Sequence, residues 1–213
     1  PAHVAGRLDA QQNTSNVHLD LPRIEYNGTL YENVQLAYNG SPANFRVDGH
    51  LLRRLTNSTT FAQLNALAHD DQLTSHLSWT LQPVSEWPDD TDTAIKPSEG
   101  SLSAKALFDT LDGKLNTRIH IQPSQLSYND TTWLVKPADI QIEGKTIRCH
   151  NIEVSHRDRY VKVNGIISQS PSDSLIVQLN NVDVDYVLSI VDFTAVDFRG
   201  RAFGNAYVSN IYN

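Results

Sequence analysis

The sequence contains no methionine and only one cysteine, Cys149, among its 213 residues. A single cysteine cannot form an internal disulfide or supply the paired thiolates of a cysteine-rich zinc site. Charged residues make up 19% of the chain and the formal net charge is −7, with no basic cluster longer than Arg53-Arg54. Because nucleic-acid binding needs a basic surface to neutralise phosphates, this composition argues against a nucleic-acid-binding protein.

Long hydrophobic runs are also missing. No segment approaches the roughly 18 consecutive apolar residues of a transmembrane helix, and no signal peptide is recognisable. The chain begins at Pro1 rather than at a methionine. We interpret the sequence as a piece of a longer protein, with any membrane anchor outside it.

Catalytic and metal-binding motifs are not found either. His156-Arg157-Asp158 is similar to a kinase catalytic loop, but Val163 stands where that loop needs an asparagine. The eight histidines show no HExxH spacing, and no serine lies in a GxSxG context. We therefore predict no catalytic residue, no metal ligand and no cofactor, while an enzyme whose site these motifs miss stays a minor alternative.

The dominant pattern is alternation with a period of two. Val161 and Val163, for example, alternate with Lys162 and Asn164. Alternation of this kind predicts strands with one apolar face and one polar face. Turn signals such as Asp112-Gly113 separate the alternating segments. We predict an all-β fold of about twelve to sixteen strands at short, regular spacing.

One segment interrupts this pattern. Residues 83–99 contain three prolines and five acidic residues, a composition typical of a loop or linker. We predict a first β section at 1–82, this linker at 83–99, and a second β section at 100–213. The two sections are expected to form one continuous domain.

Two stretches of sequence are similar to each other. Residues 33–36 read Asn-Val-Gln-Leu and residues 151–154 read Asn-Ile-Glu-Val, and a strand containing a glycine, Gly49 or Gly165, follows each of them. The similarity indicates either a true internal repeat or two ordinary hairpins.

Residues 180–193, NNVDVDYVLSIVDF, fit two periodicities. Alternation favours a strand, whereas Val184, Val187 and Leu188 have the spacing of a helix. We place the end of the preceding strand near Leu179 and take Asn181 and Asp183 as candidate N-caps. We therefore predict a short helix at 184–192.

Residues 127–191 resemble a repeat unit of the TamB (translocation and assembly module) and AsmA-like proteins, in their Bacteroidetes form. The resemblance rests on Asp130-Thr131-Thr132-Trp133, the Lys136-Pro137 step, Val163-Asn164-Gly165, and the Asn-Val-Asp-Val segment at 181–184. The glycine-containing segment 198–204 resembles the next strand of the family. The resemblance covers about a third of the chain and consists of strands and turns, not of a catalytic signature.

The resemblance implies an inner-membrane-anchored periplasmic protein of a Gram-negative bacterium. Repeated strands would form an elongated, curled, antiparallel-rich sheet with an apolar groove. Such a groove is implied to carry phospholipid or to support outer-membrane protein assembly. The implied partners are phospholipid acyl chains and an outer-membrane β-barrel assembly protein.

One-sided strands need something to cover their apolar face, and acyl chains can do so because each buried CH₂ contributes about 0.8 kcal/mol. The candidate lipid-facing residues are Ile140, Ile142, Ile152, Val154, Val161, Val163, Ile167, Leu175, Val177 and Leu179.

The main alternative is a secreted or surface β-sandwich that binds glycans or proteins. Its function would lie in loops, around Trp87 or Trp133. Five Asn-x-Ser/Thr sequons would suit a glycosylated ectodomain, although a chain this rich in these residues also produces them by chance. The sandwich predicts two sheets closed on each other, whereas the groove predicts a single sheet with an uncovered apolar face.

Overall fold

The computed structural model describes residues 2–26, 29–55, 58–84, 97–111, 113–128, 130–183 and 200–209. In these residues the protein is all-β: fifteen strands form one antiparallel sheet and no helix is present, which confirms the predicted fold class. The predicted helix at 184–192 lies outside the described residues, and the elongated, curled shape stays a prediction. The strands are β1 (His3–Asp9), β2 (Thr14–Tyr26), β3 (Thr29–Gly40), β4 (Phe45–Arg54), β5 (Ser58–His69), β6 (Gln72–Pro83), β7 (Ser98–Leu111), β8 (Lys114–Ile121), β9 (Ser124–Tyr128), β10 (Thr131–Val135), β11 (Ala138–Glu143), β12 (Thr146–His156), β13 (Arg159–Ile167), β14 (Ser174–Asp183) and β15 (Arg201–Ser209).

Strand order in the sheet closely follows chain order. Strands β1 to β8 are successive neighbours, then β8 pairs with β11, and β11 to β15 are again successive neighbours. The β9–β10 hairpin leaves this path: β9 pairs with β7, and β10 pairs with β12. Nearly every connection is therefore a hairpin, which explains why turn signals recur so regularly in the sequence.

Tight turns connect the two strands in several of these hairpins. Between β5 and β6, Asp70 and Asp71 have φ angles of 50° and 57°, and the flanking residues His69 and Gln72 pair directly. Two consecutive positive φ angles characterise the two-residue turn that matches the twist of antiparallel strands. Gly144 has a φ of 57° at the turn between β11 and β12, a left-handed conformation that glycine adopts without a steric penalty.

The chain forms two compact units. Unit 1 comprises residues 1–107 and 124–132, and unit 2 comprises residues 108–123 and 133–213. Within unit 1, Gly100 lies against Trp79: a Cβ on Gly100 would stand 2.7 Å from Trp79 Cζ2. The Trp79 indole also donates a hydrogen bond from Nε1 to Ser98 Oγ at 3.2 Å, so the missing side chain at Gly100 makes room for the ring.

Two asparagines of unit 2 occupy β-bulges. Asn151 has a φ of 56°, and the β12–β13 register shifts between Cys149 and Ile152. Asn181 has a φ of 53°, and the β14–β15 register shifts between Leu179 and Val182. The prediction that Asn181 caps a helix after a strand ending near Leu179 is therefore wrong, because β14 continues through the bulge to Asp183.

Few apolar side chains are fully buried. A sheet closed against a second sheet buries the whole inner face of both, but in the described part of the chain all strands belong to one sheet. Two separate sheets, as the sandwich alternative predicts, are not found among the described residues. The buried apolar residues among them are Ala68, Trp133, Val135, Ala138, Cys149, Ile167 and Val182.

Candidate functional site

The predicted lipid-facing residues of the last strands lie opposite one another. Val163 of β13 pairs with Ile152 of β12 and with Val177 of β14. One step along, Val161 pairs with Val154 on β12 and with Leu179 on β14. Directly opposed residues of antiparallel strands share a face, so these residues form continuous apolar rows across three strands.

The remaining predicted residues lie on the same face. Ile140 pairs with Cys149, and Ile142 pairs with Ile147. Ile147 in turn pairs with Ile167 of β13, which has the same parity as Val163. Leu175 has the parity of Val177 on β14. The sheet thus brings all ten predicted residues to one surface of unit 2, which we call the apolar face.

The bulge at Asn151 keeps this face apolar. Before the bulge, odd-numbered residues of β12 face the apolar side; after it, even-numbered residues such as Ile152 and Val154 do. A slip of one residue normally moves every later side chain to the opposite face. In the sequence, the apolar residues of β12 are odd-numbered up to Cys149 and even-numbered from Ile152. The extra residue at the bulge compensates for this change, so that all of them face the same side.

The apolar face is only half-buried. Of its ten predicted residues, only Ile167 is fully buried, with 4% of its surface exposed, and the other nine are intermediate. Neighbouring strands shield the flanks of these side chains. The exposed parts of the nine side chains keep apolar surface of this face in contact with solvent.

Trp133 and Val135 also belong to the apolar face, although we did not predict them. Val135 pairs with Val154, and the Trp133 ring lies 6.0 Å from the His156 ring. Both are buried, with exposed fractions of 4% and 9%. Their spacing of two residues in β10 indicates that they share a face of that strand. Only the pairing of β10 with β12 shows that this face belongs to the apolar face. Trp133 is therefore not an exposed loop aromatic.

Cys149 occupies the apolar face beside Ile140. Its exposed fraction is 6%, and burial raises the pKa of its thiol. It acts as a small hydrophobic residue, as its alternation with Ile147 indicates.

The opposite face of unit 2 is polar and internally paired. The Glu153 carboxylate accepts a hydrogen bond from Lys136 Nζ at 2.8 Å and lies 3.4 Å from Lys162 Nζ. Burial alone would raise the pKa of Glu153, but the hydrogen bonds and charges of the two lysines outweigh it and lower the pKa. Lys162 Nζ also lies 4.3 Å from the centre of the Tyr160 ring.

A second polar cluster spans β7, β8, β11 and β12. Asn116 Nδ2 and an Arg118 guanidinium nitrogen donate to Asp109 at 2.6 Å and 3.0 Å. Arg148 donates to Glu143 at 3.0 Å. These polar side chains therefore bond to one another across neighbouring strands of unit 2.

Unit 1 also carries an apolar row that the sequence analysis missed. Successive register pairs connect five leucines across β2 to β7, interrupted by Gly49 on β4. Three of the five have exposed fractions of 38% to 41%. The alternation of apolar and polar residues around Leu19 is visible in the sequence. Only the registers of the hairpins show that Leu19 lies in line with the other four leucines. The row consists of Leu19, Leu36, Leu64, Leu77 and Leu102.

The sites of catalysis or metal binding that we considered do not gain support from the described residues. His156 ends β12, and Arg157 and Asp158 form the turn to β13. Asp158 accepts a hydrogen bond from Asn181 Nδ2 at 2.8 Å. In the described part of the chain, no three histidine, cysteine or acidic residues converge as a metal ligand set. The same residues include no helix long and apolar enough to span a membrane.

Comparison of the chain with protein-family models, with curated proteins and with solved structures found no match.

Proposed function

We propose that this chain is a section of a periplasmic, envelope-spanning protein of the TamB/AsmA-like kind, and that its apolar face carries phospholipid acyl chains. One observation carries the proposal: ten residues chosen from the sequence share one face of the sheet, and nine of them remain only half-buried. A continuous apolar surface that stays partly exposed is typical of a binding site for an apolar partner.

The chemistry of the face favours an acyl chain. Rows such as Val135–Val154–Val161–Leu179 run across the strands without a charged side chain. Adjacent strands are about 4.8 Å apart, so a row over four strands extends about 14 Å. An acyl chain lying along such a row gains about 0.8 kcal/mol for each buried CH₂ and requires no hydrogen-bonding partner.

The polar headgroup would remain in water. Charged groups of unit 2 such as Glu153 and Lys162 are engaged with each other on the opposite face. The rows Ile152–Val163–Val177 and Val154–Val161–Leu179 carry no charged side chain that would select one headgroup. We therefore propose that acyl chains of different phospholipids are carried alike. Support of outer-membrane protein assembly through a β-barrel partner belongs to the same proposal.

The sandwich alternative has less support. It needs two closed sheets, whereas the fifteen strands belong to one. It also needs exposed aromatic residues in loops, but Trp133 is buried on the apolar face, and Trp87 lies outside the described residues.

Site-specific photo-crosslinking tests the proposal. A photoreactive phenylalanine is placed at Val177, on the apolar face, or at its neighbour Gln178, on the polar face, in the full-length protein in cells. Because the two positions share a strand, they differ mainly in the face they occupy. We expect crosslinked phospholipid at Val177 and none at Gln178.

Two other results would contradict the proposal. Equal lipid labelling at both positions would mean that the protein meets lipid without using the apolar face. Labelling of protein alone at Val177, in a folded variant, would mean that another polypeptide covers this face.

A further inference from the structure

Two buried polar atoms of unit 1 have no hydrogen-bonding partner. They are Nε of Arg53 on β4 and Oγ of Ser58 on β5, and among the described side chains no other buried nitrogen or oxygen atom is in this condition. Ser58 is only 1% exposed. Because an unbonded polar group in the interior destabilises a fold, native proteins rarely keep one without a functional reason.

The two atoms lie near each other in the sheet. Arg53 pairs with Thr60, and Ser58 lies two residues before Thr60 on the same strand. The β4–β5 register shows no shift, so Arg53 and Ser58 belong to the same face. Both groups can donate a hydrogen bond. Two donors without an acceptor on one face favour a ligand group that only accepts, such as an oxyanion.

The charge of Arg53 is also unbalanced. Among the described residues it forms no ion pair, whereas its neighbour Arg54, on the other face, binds Glu32. A guanidinium matches the geometry of phosphate and carboxylate groups, so an anionic ligand would balance the charge. The row of paired residues that contains Arg53 crosses seven strands without a carboxylate: Ile24, Tyr31, Arg53, Thr60, Leu81, Ser98 and Tyr128.

The same face becomes apolar beside Arg53. The next row along β4 and β5 contains Leu51 and Ala62, and the leucine row of unit 1 follows at Gly49. Three leucines of that row are 38% to 41% exposed. Gly49 is four residues from Arg53, which is about 13 Å along an extended strand. This face therefore presents a cation at one end and apolar side chains beyond it, a pattern that an anionic amphiphile matches.

We propose that Arg53, with Ser58 as a second donor, binds the phosphate group of a phospholipid whose acyl chain lies toward the leucine row of unit 1. A phosphodiester carries a single negative charge, which one guanidinium balances, and its free oxygens accept hydrogen bonds from both residues. The choice of a phospholipid over free phosphate rests on the apolar rows beside the site and on the function proposed above. All phospholipids share this phosphate, so the site binds them without selecting a headgroup.

Access to the two donors differs. Arg53 is half-buried, so part of its side chain is open to a ligand. Binding to Ser58 requires a small shift of the neighbouring side chains, because this residue is fully buried in the free chain. Arg53 therefore supplies most of the affinity, and Ser58 adds a hydrogen bond that the free chain does not make.

The Nε–Hε signals of arginine side chains in a proton–nitrogen NMR spectrum report on this site directly. The 213-residue chain is titrated with dihexanoyl phosphatidylglycerol, a soluble phospholipid, and Arg53→Gln identifies the Arg53 signal by its loss. We expect the Arg53 signal to move, because its Nε–H gains an acceptor. The Arg54 signal should stay in place, because its Nε–H already donates to Glu32.

The backbone amide of Thr60, opposite Arg53, reports the affinity of every variant in the same titration. Arg53→Gln should weaken lipid binding about tenfold or more, and the matched change Arg54→Gln less than about twofold. Ser58→Ala should weaken it about threefold without lowering the urea midpoint, because its hydroxyl has no partner to lose. Inorganic phosphate should bind more weakly than the lipid, since it cannot contact the apolar rows.

Three results would overturn the proposal. The Arg53 signal could stay unchanged up to the highest lipid concentration below micelle formation, Arg53→Gln could bind the lipid as tightly as wild type, or inorganic phosphate could bind as tightly as the lipid. Failure here is distinct from failure of the proposed function, because β4 and β5 contribute no residue to the apolar face of unit 2. Arg53→Gln should therefore keep its phospholipid crosslinks at Val177.

Discussion

At the scale of single residues, the asparagines in left-handed conformation have the largest effect on the site. Asn151 has a φ of 56°, and its backbone N–H donates to Asn164 Oδ1 at 2.7 Å. Asparagine tolerates this conformation better than other residues with a Cβ. The bulge that it permits sets which side chains of β12 face the apolar side.

We expect Asn151→Val to lower the free energy of unfolding by about 1–2 kcal/mol, because a β-branched side chain is strained at positive φ. Asn151→Gly should change it by less than about 0.5 kcal/mol, because glycine adopts this φ freely and the backbone N–H remains. Urea denaturation of both variants measures the difference. Equal destabilisation would mean that the asparagine side chain, rather than backbone conformation, matters here.

Single residues also mark where sequence-based prediction succeeded and where it could not. Val161, Val163, Val177 and Leu179 were predicted to share a face because alternation within a strand is local and visible. The bulge at Asn181 was not predicted, because asparagine is common both at left-handed positions inside strands and at helix N-caps. Only pairing with β15 distinguishes the two.

At the scale of strands, ion pairs between neighbouring strands stabilise the polar face. Glu153 on β12 connects Lys162 on β13 with Lys136, which directly follows β10. This arrangement ties neighbouring strands together on the side opposite the apolar face. Its contribution depends on pH, since the pKa of Glu153 is lowered in the folded protein.

A carboxylate with a lowered pKa in the folded state stabilises the protein above its unfolded pKa, and this contribution is lost as pH falls through the folded pKa. We therefore expect Glu153→Gln to lower the free energy of unfolding by about 1 kcal/mol at neutral pH. The difference from wild type should vanish in acid. Urea denaturation across the acid range measures it.

A double-mutant cycle identifies the lysine as the cause. Combining Glu153→Gln with Lys162→Gln should cost less than the sum of the two single changes at neutral pH, and this coupling should disappear in acid. Additive effects at neutral pH would show that the carboxylate acts without Lys162.

The positions of the strands could be predicted from the sequence, but which strands pair with each other in the sheet could be predicted only in part. A turn signal such as Asp112-Gly113 predicts that the strands on either side of it pair with each other, as β7 and β8 do. The insertion of β9 and β10 between β8 and β11 follows from long-range pairing, which alternation does not encode. For the same reason Trp133 and Val135 were missed, and the leucine row of unit 1 was not assembled from the sequence.

At the scale of the whole molecule, the main feature is a single sheet in which most apolar side chains of the described residues are half-buried or exposed rather than fully buried. Most globular domains bury such a face against a second layer. Here part of the apolar surface stays exposed in the native state, as the proposed binding of acyl chains requires.

We expect the native chain to enhance the fluorescence of an apolar dye such as anilinonaphthalene sulfonate without denaturant, because the dye binds exposed apolar surface. Val163→Ser/Val177→Ser should reduce the enhancement. The matched pair Gln178→Ser/Asn205→Ser, on the polar face of β14 and β15, should not. No enhancement in the folded wild type would indicate that residues outside the described part cover the face.

The near-identity of strand order and chain order has a consequence for how such a protein can change in length over evolution. Duplication of one hairpin in the gene adds two adjacent strands and leaves every existing pairing in place. Because two strands restore the original chain direction, the segments downstream re-enter the sheet with the same polarity. Loss of a hairpin works in the same way, so relatives with longer or shorter sheets can arise in single genetic events without a change of architecture.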